Sequence, residues 1–389
     1  MKIAYFFTWS DDLESGVMKK VRDQVAFWEK EGHRVKVFIL TKRDSRFQQK
    51  FHNLANTSNI SWHCLSYDGL IERSRQYANL YNKVESFKPD IVYLRKCKYS
   101  PGAYRILKRF ASVMELNGKP KPFKLCPGHI YDQLTLRLLL NNLRGFIAVG
   151  KEIGQTPLYA ARNKPVKVIG NSIDQSRYEV LPPAVHNEEV TFVFIGSPGQ
   201  PWQGVDKILE LGKMRPSWLF HIIGCNAGEF GFVSKEMSNV TFHGKMDGEQ
   251  YLKIFGESDI AIGSTAQHRR GMNETSTLKM REYLTCGLPV ITGHKDPDFT
   301  GKEPYILELP NYERNVVDHI EEIDAFSREW KGKRVDRKLV EHIDVRFKEK
   351  ERLAFFTRII KNNNDSETYE RLESMKSSDI TEMEKIEYQ

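Results

Sequence analysis

The strongest constraint on the fold is an alternation that runs, stops and begins again. Short apolar runs at Ile3–Thr8, Val35–Leu40, Ile60–Leu65, Ile91–Leu94, Ser112–Leu116, Phe146–Val149 and Val166–Ile169 have the length and character of strands. Between them lie helix-length amphipathic segments at about Gly16–Glu31, Leu70–Phe87, Tyr104–Phe110, Gln133–Asn142 and Glu152–Arg162. Strands separated by helices pair in parallel, with the helices covering the sheet. Asp174–Glu189, with Leu181-Pro182-Pro183-Ala184 inside it, interrupts the pattern as a linker would. The alternation restarts with a strand at Val190–Ile195, a glycine-containing loop and a helix from Val205. Further strands follow at Trp218–Ile223, Val240–Phe242, Ile260–Ile262 and Pro289–Thr292. The expectation is α/β: two Rossmann-like domains in tandem facing across a cleft, with ligands beyond the carboxyl ends of the strands.

The boundaries read from this pattern are an N-terminal domain over 1–178 and a second domain over 187–330. Helices over 331–365 are expected to pack back toward the first domain, ahead of a polar tail over 366–389 too hydrophilic to build a core. A chain of 389 residues exceeds one ordinary core. No run approaches the roughly 20 apolar residues of a membrane-spanning helix. The opening MKIAYFFTWSDD reads as a strand and its loop rather than a signal peptide, so the expected location is cytoplasmic. The five cysteines, Cys64, Cys97, Cys126, Cys225 and Cys286, are scattered without a C-x-x-C pair, which argues against a disulfide framework or zinc.

The net charge of +8 is unevenly spread. Residues 1–180 hold 31 Lys and Arg against 16 Asp and Glu, whereas the remainder is net negative. A basic half suits an anionic membrane surface or a phosphorylated acceptor. No interleaved aromatic and basic motif points to nucleic acid. Tyr104-Arg105-Ile106-Leu107-Lys108-Arg109-Phe110, followed by Lys119, Lys121 and Lys124, is basic and amphipathic, as an ordinary half-buried helix or a membrane-surface helix would be.

The sharpest chemical signal lies between Arg269 and Ile291. It reads as a loop carrying Arg269, Arg270 and Glu274, then a helix from about Ser276, then Gly287 at a C-cap and a strand. Glu274 and Glu282 are eight apart, one before the helix and one about two turns along it. The helix N-terminus between them, at Ser276, Thr277, Leu278 and Lys279, offers free N–H groups and the positive dipole end to a diphosphate. Carboxylates on either side can accept hydrogen bonds from sugar hydroxyls. Lys279 opposes the dipole in the first turn and so needs another reason to be there.

Glu274, Glu282 and the exit Gly287-Leu288-Pro289-Val290-Ile291 together resemble the E-x7-E signature of the retaining GT-B glycosyltransferases (glycosyl transferases group 1, family 4-like), and the layout matches over nearly the whole chain. The resemblance implies a GT-B fold and metal-independent transfer of a sugar from a UDP- or GDP-linked donor to a hydroxyl acceptor, with retention. The setting it implies is bacterial surface polysaccharide synthesis on a saccharide or lipid-linked acceptor, with peripheral attachment to the inner face of the membrane. It implies that Glu274 holds the donor sugar as the catalytic carboxylate, that Glu282 holds the ribose, and that Gly16 lets the backbone approach the donor. It also places Gly196 and Gln203 in the phosphate cradle, and His243, Gly244 and Lys245 along the nucleobase.

The sequence departs from the family at three points. Ser197 and Gln203 stand where the family carries Arg and Lys, so Arg269, Arg270 or Lys279 is expected to replace the missing cations. Glu115 and Asn117 occupy the region where many relatives have a reaction-centre histidine, and are the candidate acceptor residues. Asn171-Ser172-Ile173-Asp174 resembles N-G-V-D without its glycine and reads as a turn. The acidic pairs Asp11-Asp12 and Asp296-Pro297-Asp298 lie in loops, and a metal role is declined for both. A sugar-nucleotide epimerase and a non-catalytic sugar-nucleotide-binding scaffold remain the alternative readings.

Overall fold

The computed structural model describes residues 1–9, 13, 15–57, 60–95, 97–120, 127–184, 188–230 and 237–362. Asp11, Asp12, Lys121, Lys124, Cys126 and the polar tail lie outside the described residues. Two parallel sheets make up the frame. The first has seven strands in the order β3-β2-β1-β4-β5-β6-β7: β1 Lys2–Thr8, β2 Arg34–Lys42, β3 Ser61–Tyr67, β4 Ile91–Leu94, β5 Ser112–Leu116, β6 Gly145–Ala148 and β7 Val166–Val168. The second has six in the order β10-β9-β8-β11-β12-β13: β8 Thr191–Ile195, β9 Leu219–Ile223, β10 Val240–Gly244, β11 Ile260–Ile262, β12 Val290–Thr292 and β13 Ile306–Glu308.

Both sheets bury both faces, which explains why their strands read as apolar runs rather than alternating ones. In β1, Ile3, Tyr5 and Phe7 enter one core while Ala4 and Phe6 enter the other. The first-domain helices are α1 Gly16–Lys30, α2 Ser45–Thr57, α3 Gly69–Phe87, α4 Pro101–Arg109, α5 Pro127–Asn142, α6 Lys151–Gly154 and α7 Pro157–Ala160. The second domain contributes α8 Val205–Met214, α9 Gly248–Glu257, α10 Leu278–Thr285, α11 Asn315–Asp318 and α12 Ile320–Trp330. A last helix, α13, runs over 345–362. Among the described residues, no helix is long and apolar enough to cross a membrane.

Three local differences from the sequence reading have simple causes. α2 escapes notice because its core face is thin, carried by Phe47, Phe51 and Leu54. The helix expected over Glu152–Arg162 is broken into α6 and α7, because Pro157 has no N–H to continue the ladder and instead starts a new turn. β13 is an edge strand with only Ile306 buried, so it lacks the apolar run that marks the other strands.

The chain crosses between the domains twice. Ile173 and Asp344 form a parallel bridge, and Val345 donates its N–H to the Ile173 carbonyl at 2.9 Å. α13 then lies against the first sheet, where Leu353, Phe355, Phe356 and Ile359 join the core of Tyr5, Trp28 and Tyr93.

In each sheet the strand order reverses once, between β1 and β4 and between β8 and β11. Adjacent loops diverge at such points and leave a crevice beyond the carboxyl ends of the strands.

Candidate functional site

In the second domain the crevice is bounded by the loops leaving β8, β11 and β12 and by the start of α10. Buried polar atoms without hydrogen-bond partners gather on these elements: Thr265 Oγ1, Thr277 Oγ1, Lys279 Nζ and His294 Nε2. Thr277 is the N-cap residue of α10, but its side chain makes no capping bond. The helix therefore starts with free N–H groups and an unspent hydroxyl beside them. Lys279 Nζ lies 3.9 Å from the centre of the Phe194 ring. Burial pushes this amine down to about 7, with only Cys225 acting in the opposite direction. Burial also pushes His294 down to about 4, so it is neutral at physiological pH, with Nδ1 3.0 Å from the Ser264 carbonyl oxygen.

The three candidate replacement cations differ in how they are engaged. Arg269 is spent on Asp206, Glu313 and the Pro201 carbonyl. Arg270 donates to Gln267 Oε1 at 2.6 Å and lies over the Trp202 ring at 5.3 Å. Among the described residues, Lys279 has no ion-pair or hydrogen-bond partner at its amine. Gln203, 7% exposed, accepts the Ser197 N–H through Oε1 at 3.1 Å. A Cβ on Gly196 would meet that same oxygen at 2.5 Å, so the carboxamide closes the loop on itself.

The start of α10 meets the first domain. A Cβ on Gly16 would come within 3.3 Å of Leu278, so α1 approaches closely here. The hydroxyl of Ser276 is not aimed at a ligand: it accepts from Asn171 N at 2.7 Å and from Arg281 Nη2 at 2.5 Å. Arg281 is fully buried and is held further by Asp296 at 2.8 Å and Asp298 at 2.6 Å, which is the work of that acidic pair. Asn171 is a joint rather than a mere turn residue, because it also accepts from Lys20 Nζ at 2.8 Å.

The carboxylate of Glu282 is met by Lys19 at 3.6 Å, by Tyr178 at 3.3 Å and by Tyr251 at 3.4 Å. Glu274 projects the other way, and its Oε1 accepts the backbone N–H of Lys151 at the start of α6. Next to it Asn273 N donates to Glu152 at 2.9 Å. The two glutamates thus bracket the start of α10, each engaged with groups that a ligand would have to rearrange. At the end of β10, His243 Nε2 lies 2.9 Å from His221 Nδ1, and Gly244 takes φ +63 while its carbonyl accepts from Gly224 N. Lys245 follows directly.

The first-domain crevice opens a cavity of 530 Å³ lined by the ends of β1, β4 and β5, including Trp9, Arg95, Glu115, Asn117 and Lys119. The carboxylate of Glu115 is fully buried and lies 2.9 Å from Lys20, 3.5 Å from Arg95 and 3.6 Å from Arg352, with the Tyr93 hydroxyl also donating to it. Burial opposes its ionisation, but the three cations outweigh that and hold the carboxyl well below its usual range. Asn117 is exposed at the rim. The sequence reading missed Lys19, Lys20, Arg95, His294 and Arg352. Its available signal was polar residues on apolar faces, as with Lys20, Asp23 and Gln24 on the buried side of α1.

No family model and no curated protein matches this chain. Solved structures do share its architecture. A glycosyltransferase from Rickettsia africae is 14% identical with a TM-score of 0.68, covering 93% of this chain and 99% of its own. Anabaena HepE, in complex with UDP and glucose, is 13% identical at 0.63, covering 91% and 99%. The UDP-GlcNAc 2-epimerase of Methanocaldococcus jannaschii is 12% identical at 0.55, covering 92% and 100%. The chain therefore has the GT-B fold: two parallel, helix-flanked sheets whose strand ends face one another.

Proposed function

We propose that the protein transfers a glycosyl group from a nucleoside-diphosphate sugar to an acceptor hydroxyl. The observation that carries this reading is the uncapped start of α10, where the Thr277 hydroxyl, the Lys279 amine and the His294 imidazole nitrogen are buried and unspent. Free N–H groups and a nearby cation suit a diphosphate. The fold shared with a UDP-bound structure supports the same donor class. In this reaction the bond from the anomeric carbon to the diphosphate oxygen breaks, a bond to the acceptor oxygen forms, and the hydroxyl proton leaves with the diphosphate. Lys279 and the helix N–H groups stabilise the departing charge. Glu282 reaches the ribose once Lys19 and the two tyrosines give way, and Glu274 holds the sugar after leaving Lys151. Retention, the absence of a metal requirement, a saccharide or lipid-linked acceptor of a surface polysaccharide and a cytoplasmic or membrane-surface location extend this proposal by the family resemblance.

Thermal unfolding against UDP, GDP, ADP, CMP and their sugar conjugates tests it, because a ligand of the native state raises the melting temperature. The expected result is a clear rise with one nucleoside diphosphate. No rise at millimolar concentration would sink the donor reading and favour a scaffold, for which Gln203 closing its own loop is the supporting observation. The epimerases of the same fold define a second reading: a sugar nucleotide changed in configuration with no acceptor present would establish it.

A further inference from the structure

The buried charge in the first domain does not balance. Lys20, Arg95 and Arg352 surround Glu115, and Glu349 is the other carboxylate of the cluster, 2.8 Å from Arg352. Three cations thus face two anions among the described residues, with Lys20, Arg352, Glu115 and Glu349 all at or below 2% exposure. An uncompensated buried charge is costly and seeks a partner. The strain shows at Lys20, which burial pushes down to about 8 despite Glu115, with Arg95 and Arg352 adding to the fall.

Arg95 is the member of the cluster whose surplus can be met from outside. Lys20 also holds Asn171, and Arg352 also holds Glu349 and the Tyr93 hydroxyl. Arg95 reaches Glu115 through Nε at 3.5 Å and lies beside the Tyr5 hydroxyl, while among the described residues Nη1 is buried without a hydrogen-bond partner. The 12% of its side chain that stays exposed lines the 530 Å³ cavity. The planar fork of a guanidinium group matches an oxyanion with two oxygens. The one carboxylate on the described lining, Glu115, is fully covered, so among the described residues no exposed carboxylate repels an incoming anion. The volume lies within the range of small-molecule sites. Trp9 supplies an aromatic wall beside the cationic one.

We propose that this cavity takes an acceptor bearing an oxyanion, a sugar carboxylate or a sugar phosphate, whose charge is met by Arg95. The inference rests on the reading above, in that it treats the first-domain crevice as the acceptor side of the cleft. It adds the substrate class: the acceptor is anionic close to the hydroxyl it offers. Arg95 is then a binding residue whose charge the fold leaves surplus for the ligand.

The test titrates the full-length chain with three small probes: methyl β-D-glucuronide, N-acetylglucosamine 1-phosphate and the neutral methyl β-D-glucoside. The donor site is first saturated with whichever nucleoside diphosphate raises the melting temperature, or left empty if none does. One of the two anions is expected to bind at least about tenfold more tightly than the glucoside. The preference should vanish in Arg95→Gln and survive in part in Arg95→Lys. Whether the glucuronide or the phosphate wins identifies the source of the oxyanion. Equal affinities, no binding of any probe, or an anion preference that persists in a folded Arg95→Gln protein would overturn the proposal. The comparison of probes on the unaltered protein needs no variant, so it stands even if Arg95→Gln fails to fold. A donor failure is seen separately, in the nucleotide melting series.

Discussion

The two switch-point crevices are built from the same elements and treat charge in opposite ways. In the first domain, Glu115 sits among Lys20, Arg95 and Arg352, and nearly every charged group there contacts another. In the second, Lys279 is buried over an aromatic ring with no hydrogen-bond or ion-pair partner among the described residues. One crevice is tied together by its ions; the other holds its polar atoms in reserve at a cost. Removing the Glu115 carboxylate should therefore weaken the protein, and removing the Lys279 charge should strengthen it.

The largest effect is expected from Glu115→Ala. It strands three cations in the interior, and removing one partner of a buried ion pair costs about 3–5 kcal/mol. Denaturant unfolding followed by the fluorescence of Trp28, which packs against the same cluster through Tyr93, reads this out. A loss below about 1 kcal/mol would show that the cations do not depend on Glu115, and the contrast between the domains would fail. Lys279→Met comes next. Affinity for the nucleoside diphosphate should fall by about 10- to 100-fold, the value of one hydrogen bond to a charged group. Affinity for the bare nucleoside should not change. An equal loss for nucleoside and diphosphate would move Lys279 away from the phosphates.

How much of this was legible in the sequence follows from what each residue does. The two sheets rest on apolar runs separated by helix-length segments, and nearly all the strands fall where the runs lie. Lys279 could be singled out because it stands in a helix first turn, against the dipole. Its sequence neighbours Arg269 and Arg270 looked equally available; only the fold brings Asp206 and Glu313 to Arg269. Ser276 reads as a phosphate ligand by position, yet Asn171, 105 residues away, claims its hydroxyl. The Glu115 cluster joins residues from β5, α1, the end of β4 and α13, and no local pattern announces a group assembled over such separations.

A third prediction concerns stability and reverses the sign of the first. With no partner to lose, Lys279→Met should stabilise the protein at pH 7 and below by roughly 1–3 kcal/mol, the cost of a buried unsatisfied group. The folded amine titrates near 7 and the unfolded one near 10.5. Between those values the unfolded state holds more protons, so the wild-type protein gains stability as pH rises and the advantage of the variant shrinks. Melting both proteins at pH 7 and pH 9.5 checks this. A constant gap would mean that the amine is charged throughout, and so not as isolated as its surroundings indicate.

The smallest effect sharpens the same point through the ligand. In the free protein the Lys279 amine titrates at about 7, because burial opposes the charge. A bound diphosphate favours the charged form, so binding takes up a proton wherever the free amine has lost its own. The charged fraction of the free amine falls as pH rises through about 7, and apparent affinity falls with that competent fraction, by no more than about tenfold per pH unit. The diphosphate has its own titration below this range, and Lys279→Met removes that from the comparison by sharing it. Isothermal titration in two buffers of different ionisation enthalpy should report proton uptake by the wild-type protein and less by the variant. Equal uptake in both would place the missing phosphate cation elsewhere, with Arg270 beside Trp202 the next to examine.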